Sequence, residues 1–204
     1  LVKIRKEFEQ NPNVLALLVT GSVARNEATE GDDIDILLVT NDQNYTREYK
    51  AGQSLNEIST IRFPEALENI VKNPMLVYMY LDAKAIFDKT NALEALQKKA
   101  KQVLEIYRAS REDKKTLQKW LSSVVDKVTA AQKNQDRLKV GFHVSNVLWK
   151  IVEGFYLIND MPIPASTSAL RRINSLKVLP ENFQELWNKT LLGDHEDRTK
   201  ATLT

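Results

Sequence analysis

The tightest constraint on this chain is the stretch over residues 20–40, T-G-S-V-A-R-N-E-A-T-E-G-D-D-I-D-I-L-L-V-T. An apolar run over residues 14–19 stops at Gly21-Ser22, and a second run opens with Asp33-Ile34-Asp35-Ile36 and continues through Leu37, Leu38 and Val39. Both runs have the length of a buried strand, and the polar interval between them is short. The sequence therefore predicts two strands joined by a small loop.

Side chains alternate along a strand, so Asp33 and Asp35 share one face, about 6.5 to 7 Å apart along the backbone. Ile34, Ile36 and Leu38 take the opposite face, which can enter a core. Two like charges side by side repel, and a cation such as Mg²⁺ between them relieves that repulsion. Gly21 permits close backbone approach to a ligand, and Ser22 stands where the first strand turns toward a short helix. Amides and a hydroxyl then face one place, an arrangement suited to a phosphate. Gly-Ser after a strand is by itself an ordinary turn, and Asp-x-Asp by itself an ordinary solvated strand end. The combination carries the information.

Gly-Ser at a strand end, ten intervening residues and then Asp-hydrophobic-Asp-hydrophobic resembles the signature of the nucleotidyltransferase superfamily. That superfamily includes DNA polymerase beta, the aminoglycoside and lincosamide nucleotidyltransferases and the minimal nucleotidyltransferases. The resemblance covers residues 14–90, and its later part rests on D-A-K-A-I-F-D at residues 82–88, an element of the small-molecule branch. Two positions depart from the commonest form: Asn26 stands where a Gly often follows the Arg, and Asp32 where a Ser usually precedes the first metal acid. The resemblance implies an α+β fold in which a small mixed β-sheet head with flanking helices precedes a C-terminal helical bundle. It also implies Mg²⁺ held by Asp33 and Asp35, with ATP or another nucleoside triphosphate as co-substrate on Gly21 and Ser22. Arg25, four residues beyond Gly21, is within reach of a phosphate, although a surface pair with Glu27 or Glu30 explains it equally well. The family usually adds a third catalytic carboxylate from the next core strand. Glu57 is the candidate, and Asp82, read as lying in a loop between two sheet elements, is the reserve.

The remainder of the chain divides at residue 90. Residues 2–10 read as a short amphipathic helix with Val2, Ile4 and Phe8 among charges, residues 41–53 as a polar excursion or hairpin, and residues 57–63 as a third strand. Pro64 opens a helix to Lys72, residues 75–81 form an apolar segment, and residues 85–88 form an edge strand. From Asn91 the apolar spacing is three and four throughout. It predicts long helices around Leu96 and Val103, around Leu117 and Val128, and over residues 137–158, then shorter ones over residues 166–176 and 180–191. The polar tail beyond Gly193 is expected to fray. Two domains follow, 1–90 and 91–204, the second an up-and-down bundle. On that bundle His143 and Glu153 are weaker catalytic candidates, and Trp149, Phe155 and Tyr156 read as core rather than as the lining of an acceptor pocket.

The chain has no Cys, which excludes disulfide frameworks, zinc ribbons and thiol nucleophiles. No apolar run has the length of a membrane span, so no membrane association and a cytoplasmic location are expected. Residues 1–90 carry 10 Lys and Arg against 14 Asp and Glu, a net −4, whereas residues 91–204 carry 19 against 13, a net +6. The basic residues of the second half are interspersed with acids at helical spacing, the pattern of a solvated face rather than a nucleic-acid groove. The expected partners are thus a nucleoside triphosphate and a small-molecule hydroxyl acceptor, with homodimerisation left open. One function class is a metal-dependent adenylyltransferase acting on a small molecule, antibiotics included. The other is an interaction or antitoxin module that modifies or binds a protein partner, although the fused helices argue against a separate helical partner. Nucleotide polymerisation lacks an evident basic primer site.

Overall fold

The computed structural model describes residues 2–41 and 56–204, with the side chains of Asn56, Glu57 and Ser166 outside that description. Of the polar excursion expected over residues 41–53, all but Asn41 lies outside the described residues. The first elements are helix α1 (Val2–Glu9), strand β1 (Val14–Val19), the one-turn helix α2 (Gly21–Ala24), β2 (Ile34–Thr40) and β3 (Asn56–Arg62). After them come α3 (Phe63–Lys72), α4 (Val77–Asp82), β4 (Lys84–Asp88) and α5 (Ala92–Ile106).

The strands form one mixed sheet in the order β3-β2-β1-β4. β1 is antiparallel to β2, with Val19 opposite Ile36, and antiparallel to β4, with Val19 opposite Lys84. β2 and β3 run parallel with Asp35 opposite Glu57. All six residues of β1 are buried, as a central strand covered on both faces requires. Ile36 and Leu38 pack with Val14, Leu17, Ile58 and Phe87 under Ile4 and Phe8 of α1, and Ile34 lies against the edge of this cluster. The alternation read from the sequence is therefore realised, with the β2 isoleucines on the core side. On β2 the alternating residues Leu37 and Val39 are buried too. Helix α5 packs on β1 and β4, and α3 on β3.

Two readings of this half change. Residues 75–81 are not a sheet element: a 3₁₀ turn (Pro74–Leu76) leads into α4, which buries Val77, Tyr78 and Tyr80. A short apolar run has no periodicity long enough to separate strand from helix, and here Asn73 caps the turn by accepting from the Met75 amide. Asp82 accordingly ends a helix and does not sit in a loop between strands. The chain also separates into compact units at a later point than residue 90, namely Leu1–Tyr107 and Arg108–Thr204. The reason is that α5 buries Leu96, Ala100 and Val103 and packs on α3, α4 and the sheet. Asp88 fixes this junction, its carboxylate accepting from the amides of Thr90, Ala92 and Leu93 at 3.1, 3.0 and 2.9 Å.

The second unit contains α6 (Arg111–Lys133), α7 (Arg137–Ile158), α8 (Ser166–Arg172), α9 (Phe183–Leu192) and α10 (His195–Leu203). Val124, Val128 and Ala131 of α6 meet Val140, Val144 and Val147 of α7 in one cluster. A second cluster gathers Val152 and Tyr156 with Ala169, Ile173, Phe183 and Trp187. The tail expected to fray is instead α10. Asp194 caps it, accepting from the amides of Glu196 and Asp197 at 2.9 Å, and the buried Thr199 and an Arg198 bond to the Thr190 carbonyl hold it in place. The start signal was present as Asp194 followed by two acids in the first turn; low apolar content concealed it. No helix among the described residues is long and apolar enough to cross a membrane.

Asp88→Ala removes the acceptor for three amides at the start of α5. It is expected to lower stability by about 1 to 2 kcal/mol. The check is a shifted denaturation midpoint together with faster amide exchange in the first turn of α5.

Candidate active site

The antiparallel pairing of β1 with β2 brings the end of the first strand and the beginning of the second to one edge of the sheet. The Thr20 amide donates to the Asp35 carbonyl at 2.9 Å and extends the ladder by one bond. At Gly21 the backbone turns with φ +63°, a left-handed conformation that favours glycine. Asp35 makes a second demand on that position. A Cβ placed on Gly21 would stand 1.9 Å from Asp35 Oδ2 and 3.0 Å from its Cγ. The loop and the partly buried carboxylate are thus in direct contact, with no room for a side chain between them.

Helix α2 begins at Gly21 and closes within one turn, Ala24 N donating to Thr20 O at 3.3 Å and Glu27 N to Ser22 O at 2.9 Å. Its first amides have no carbonyl one turn earlier to bond, the usual situation of a helix start. Asp33 lies one residue before β2 and is exposed, while Ile34 between the two acids turns to the core. Asp35, alternating with Ile34 and Ile36 along β2, therefore projects on the face away from the α1 cluster, and Asp33 is two residues before it. Glu57 is brought to the same edge, its backbone in parallel register with Asp35.

Both departures from the commonest motif have local explanations. Asn26 has φ +58°, so the Gly often found there reflects a left-handed backbone that Asn also tolerates. Its side chain accepts from Lys84 Nζ at 3.0 Å. Asp32 folds the loop instead of facing a ligand: its carboxylate accepts from the Thr29 amide at 2.9 Å and from the Thr29 hydroxyl at 3.3 Å.

Arg25 does not extend into open solvent. Its Nε donates to Glu27 Oε2 at 2.7 Å and its Nη1 lies 3.7 Å from Asp82 Oδ2, all three side chains being largely covered. Glu27 was foreseen as a partner. Asp82 and Lys84 were not, since nothing in the sequence signals contacts across more than fifty residues.

The weaker candidates lie on α7 in the second unit. His143 makes an edge-to-face contact with Phe142 at 5.6 Å, and Glu153 pairs with Lys150. Tyr156 is core, donating to the Ala169 carbonyl at 2.8 Å, and Phe155 packs edge-on against Phe183 and Trp187. Trp149 is 42% exposed and not core. Among the described residues no group of three His, Asp or Glu side chains is arranged to hold a metal. Two carboxylates fit Mg²⁺ nevertheless, because that ion is commonly held by one or two acids together with the phosphates of its substrate. The Gly21 contact sets the loop that would face such phosphates against Asp35.

Residues 1–142 match the family model described as "Nucleotidyltransferase domain". No curated protein matches the chain. Among solved structures it is similar to a nucleotidyltransferase-like protein from Exiguobacterium sibiricum 255-15, at 14% identity and a TM-score of 0.45 over 99% of this chain and 70% of that one. The family match takes in well over half of the 204 residues and every residue placed above at the edge of the sheet. On that match the chain belongs to the nucleotidyltransferase domain family.

Proposed function

We propose that the chain transfers a nucleoside monophosphate, AMP from Mg·ATP, to a hydroxyl of a small molecule and releases pyrophosphate. The observation that supports this reading is the close contact between the Gly21 turn and the Asp35 carboxylate. In the reaction the acceptor oxygen forms a bond to the α-phosphorus while the bond from that phosphorus to the pyrophosphate oxygen breaks. Gly21 and Ser22 hold the leaving phosphates through backbone amides and a hydroxyl. Asp33 and Asp35 are the residues that would hold Mg²⁺, which when bound gathers charge on the transferring phosphoryl group. Glu57, in register with Asp35, takes the acceptor's proton. It is preferred to Asp82, whose carboxylate lies against Arg25.

The choice of a small acceptor rests on the resemblance to the small-molecule branch at residues 82–88 and on the helical unit that follows the head. The second unit carries 16 Lys and Arg against 11 Asp and Glu over residues 108–204, a net +5. A basic unit suits a neutral acceptor, such as a lincosamide, better than a polycationic aminoglycoside. ATP is assigned as donor, and the antibiotic class of acceptor suggested, by the same resemblance.

The direct test is pyrophosphate release from Mg·ATP across a panel of hydroxyl acceptors. Asp33→Asn and Asp35→Asn are each expected to lower turnover more than about 100-fold, beyond the 10- to 100-fold typical of losing an outer partner of a metal site. Their melting temperatures should stay near that of the parent chain. Near-normal turnover in both variants overturns the metal assignment, and no release with any triphosphate favours the protein-partner reading.

Binding of nucleotide tests the loop. Ser22→Ala should weaken ATP binding by about 5- to 30-fold, the equivalent of losing a hydrogen bond worth about 1 to 2 kcal/mol to a charged group. Gly21→Ala should abolish measurable binding, because its methyl group would displace the Asp35 carboxylate. Equal, small effects in a calorimetric titration would mark an ordinary turn.

Glu57→Gln should lower kcat far more than it changes ATP affinity, and should remove the acid limb of the pH–rate profile. An unchanged rate and profile would dismiss Glu57 as the base.

A further inference from the structure

Residues 25–26 are tied to residues 82–84 by two contacts, Arg25 to Asp82 and Asn26 to Lys84, at 3.7 and 3.0 Å. Neither contact belongs to the sheet or to a helix ladder. We propose that this pair of ties is a clamp that positions the phosphate loop, and that Arg25 is a positioning residue rather than a ligand of the triphosphate. The inference rests on the proposed nucleotidyl transfer only in naming phosphate as what the loop receives.

The geometry of α2 argues for a positioning role. The helix is a single turn, and an isolated turn has almost no stability of its own, because its dihedral angles are fixed for very few hydrogen bonds. Its start is set by Gly21 against Asp35, and its other end is Arg25, the capping residue. Something must hold that second end if the amides of Gly21 and Ser22 are to keep their direction. Arg25 and Asn26 do so, reaching the last residue of α4 and the first of β4, which flank Ala83. Both of those elements are anchored in the core, α4 by Tyr78 and Tyr80 and β4 by its pairing with β1.

The charges also argue against a phosphate ligand. Arg25 lies between Glu27 and Asp82, with only 17% of its side chain exposed. The Arg25 guanidinium is already engaged by two carboxylates, and with the nearby Lys84 ammonium the local charges balance without a polyanion. A swing toward phosphate would break a 2.7 Å charge-assisted bond and withdraw the Arg25 charge from two covered carboxylates, a costly exchange in a partly desolvated place. Asp82, a reserve candidate for catalysis from its sequence context, is in this arrangement the fixed end of the clamp.

The test is a double-mutant cycle with Arg25→Gln and Asp82→Asn, read by amide hydrogen exchange over residues 21–26 and by titration with Mg·ATP. Each single variant is expected to speed exchange across α2 and to weaken ATP binding about 10-fold, the scale of losing an outer-shell partner. The double variant should be no worse than the worse single one, because both residues act through one tie. Arg25→Lys, which keeps the charge but not the two-sided reach, should restore little. Unchanged exchange in either single variant overturns the proposal, as does faster exchange with normal ATP affinity. A phosphate-binding Arg25 would behave differently: Asp82→Asn would leave binding unchanged or tighter, and the Arg25→Gln loss would grow from AMP to ATP. If the parent chain binds no nucleotide, the proposed reaction fails, while the exchange measurements still decide whether the clamp exists.

Discussion

The contact between Gly21 and the Asp35 carboxylate depends on the register between β1 and β2. Val19 opposite Ile36 sets Thr20 beside Asp35, and the Thr20 amide bond to the Asp35 carbonyl carries the ladder to the point where the chain must turn. Any residue with a Cβ in the place of Gly21 would meet the Asp35 carboxylate. Glycine is therefore demanded here twice, once by the dihedral angle and once by the neighbouring acid. The register in turn is held by burial, since a slip of one residue would carry Ile36 and Leu38 out of the α1 cluster and Asp35 into it. The buried Ile36 and Leu38 of β2 thus fix the position of Asp35 at its start.

Much of this was legible because it is written in short-range chemistry. Strand length, the inward face of Ile34, Ile36 and Leu38 and the glycine at the turn are all local, and each is found where the sequence put it. The left-handed backbone at Asn26 was concealed by a residue that tolerates it less openly than glycine. What could not be read were the long-range pairings. Arg25 names no partner in its sequence neighbourhood beyond Glu27, and Asp82 looked like a spare acid until α4 placed it at the end of a helix.

The other differences have the same origin. Residues 75–81 satisfy strand and helix equally well, and only packing inside the first unit decides between them. Helix α10 carries an acidic start but a weak apolar stripe, so its stability comes from Asp194, from the buried Thr199 and from contacts with α7 and α9. Apolar periodicity identified the long helices, whereas the core helix α4 and the capped helix α10 needed packing and side-chain caps that periodicity does not record.

The place of α5 bears on how the protein can be divided into working pieces. A fragment cut at residue 90 would lose Leu96, Ala100 and Val103 from their packing and uncover an oily flank over the sheet and α4. It would also take from Asp88 two of its donors, the Ala92 and Leu93 amides. Such a piece invites aggregation for reasons unrelated to its chemistry. A fragment that keeps α5 retains the first compact unit, so in this protein the smallest coherent carrier of the sheet-edge residues includes a helix that follows the whole sheet in the chain.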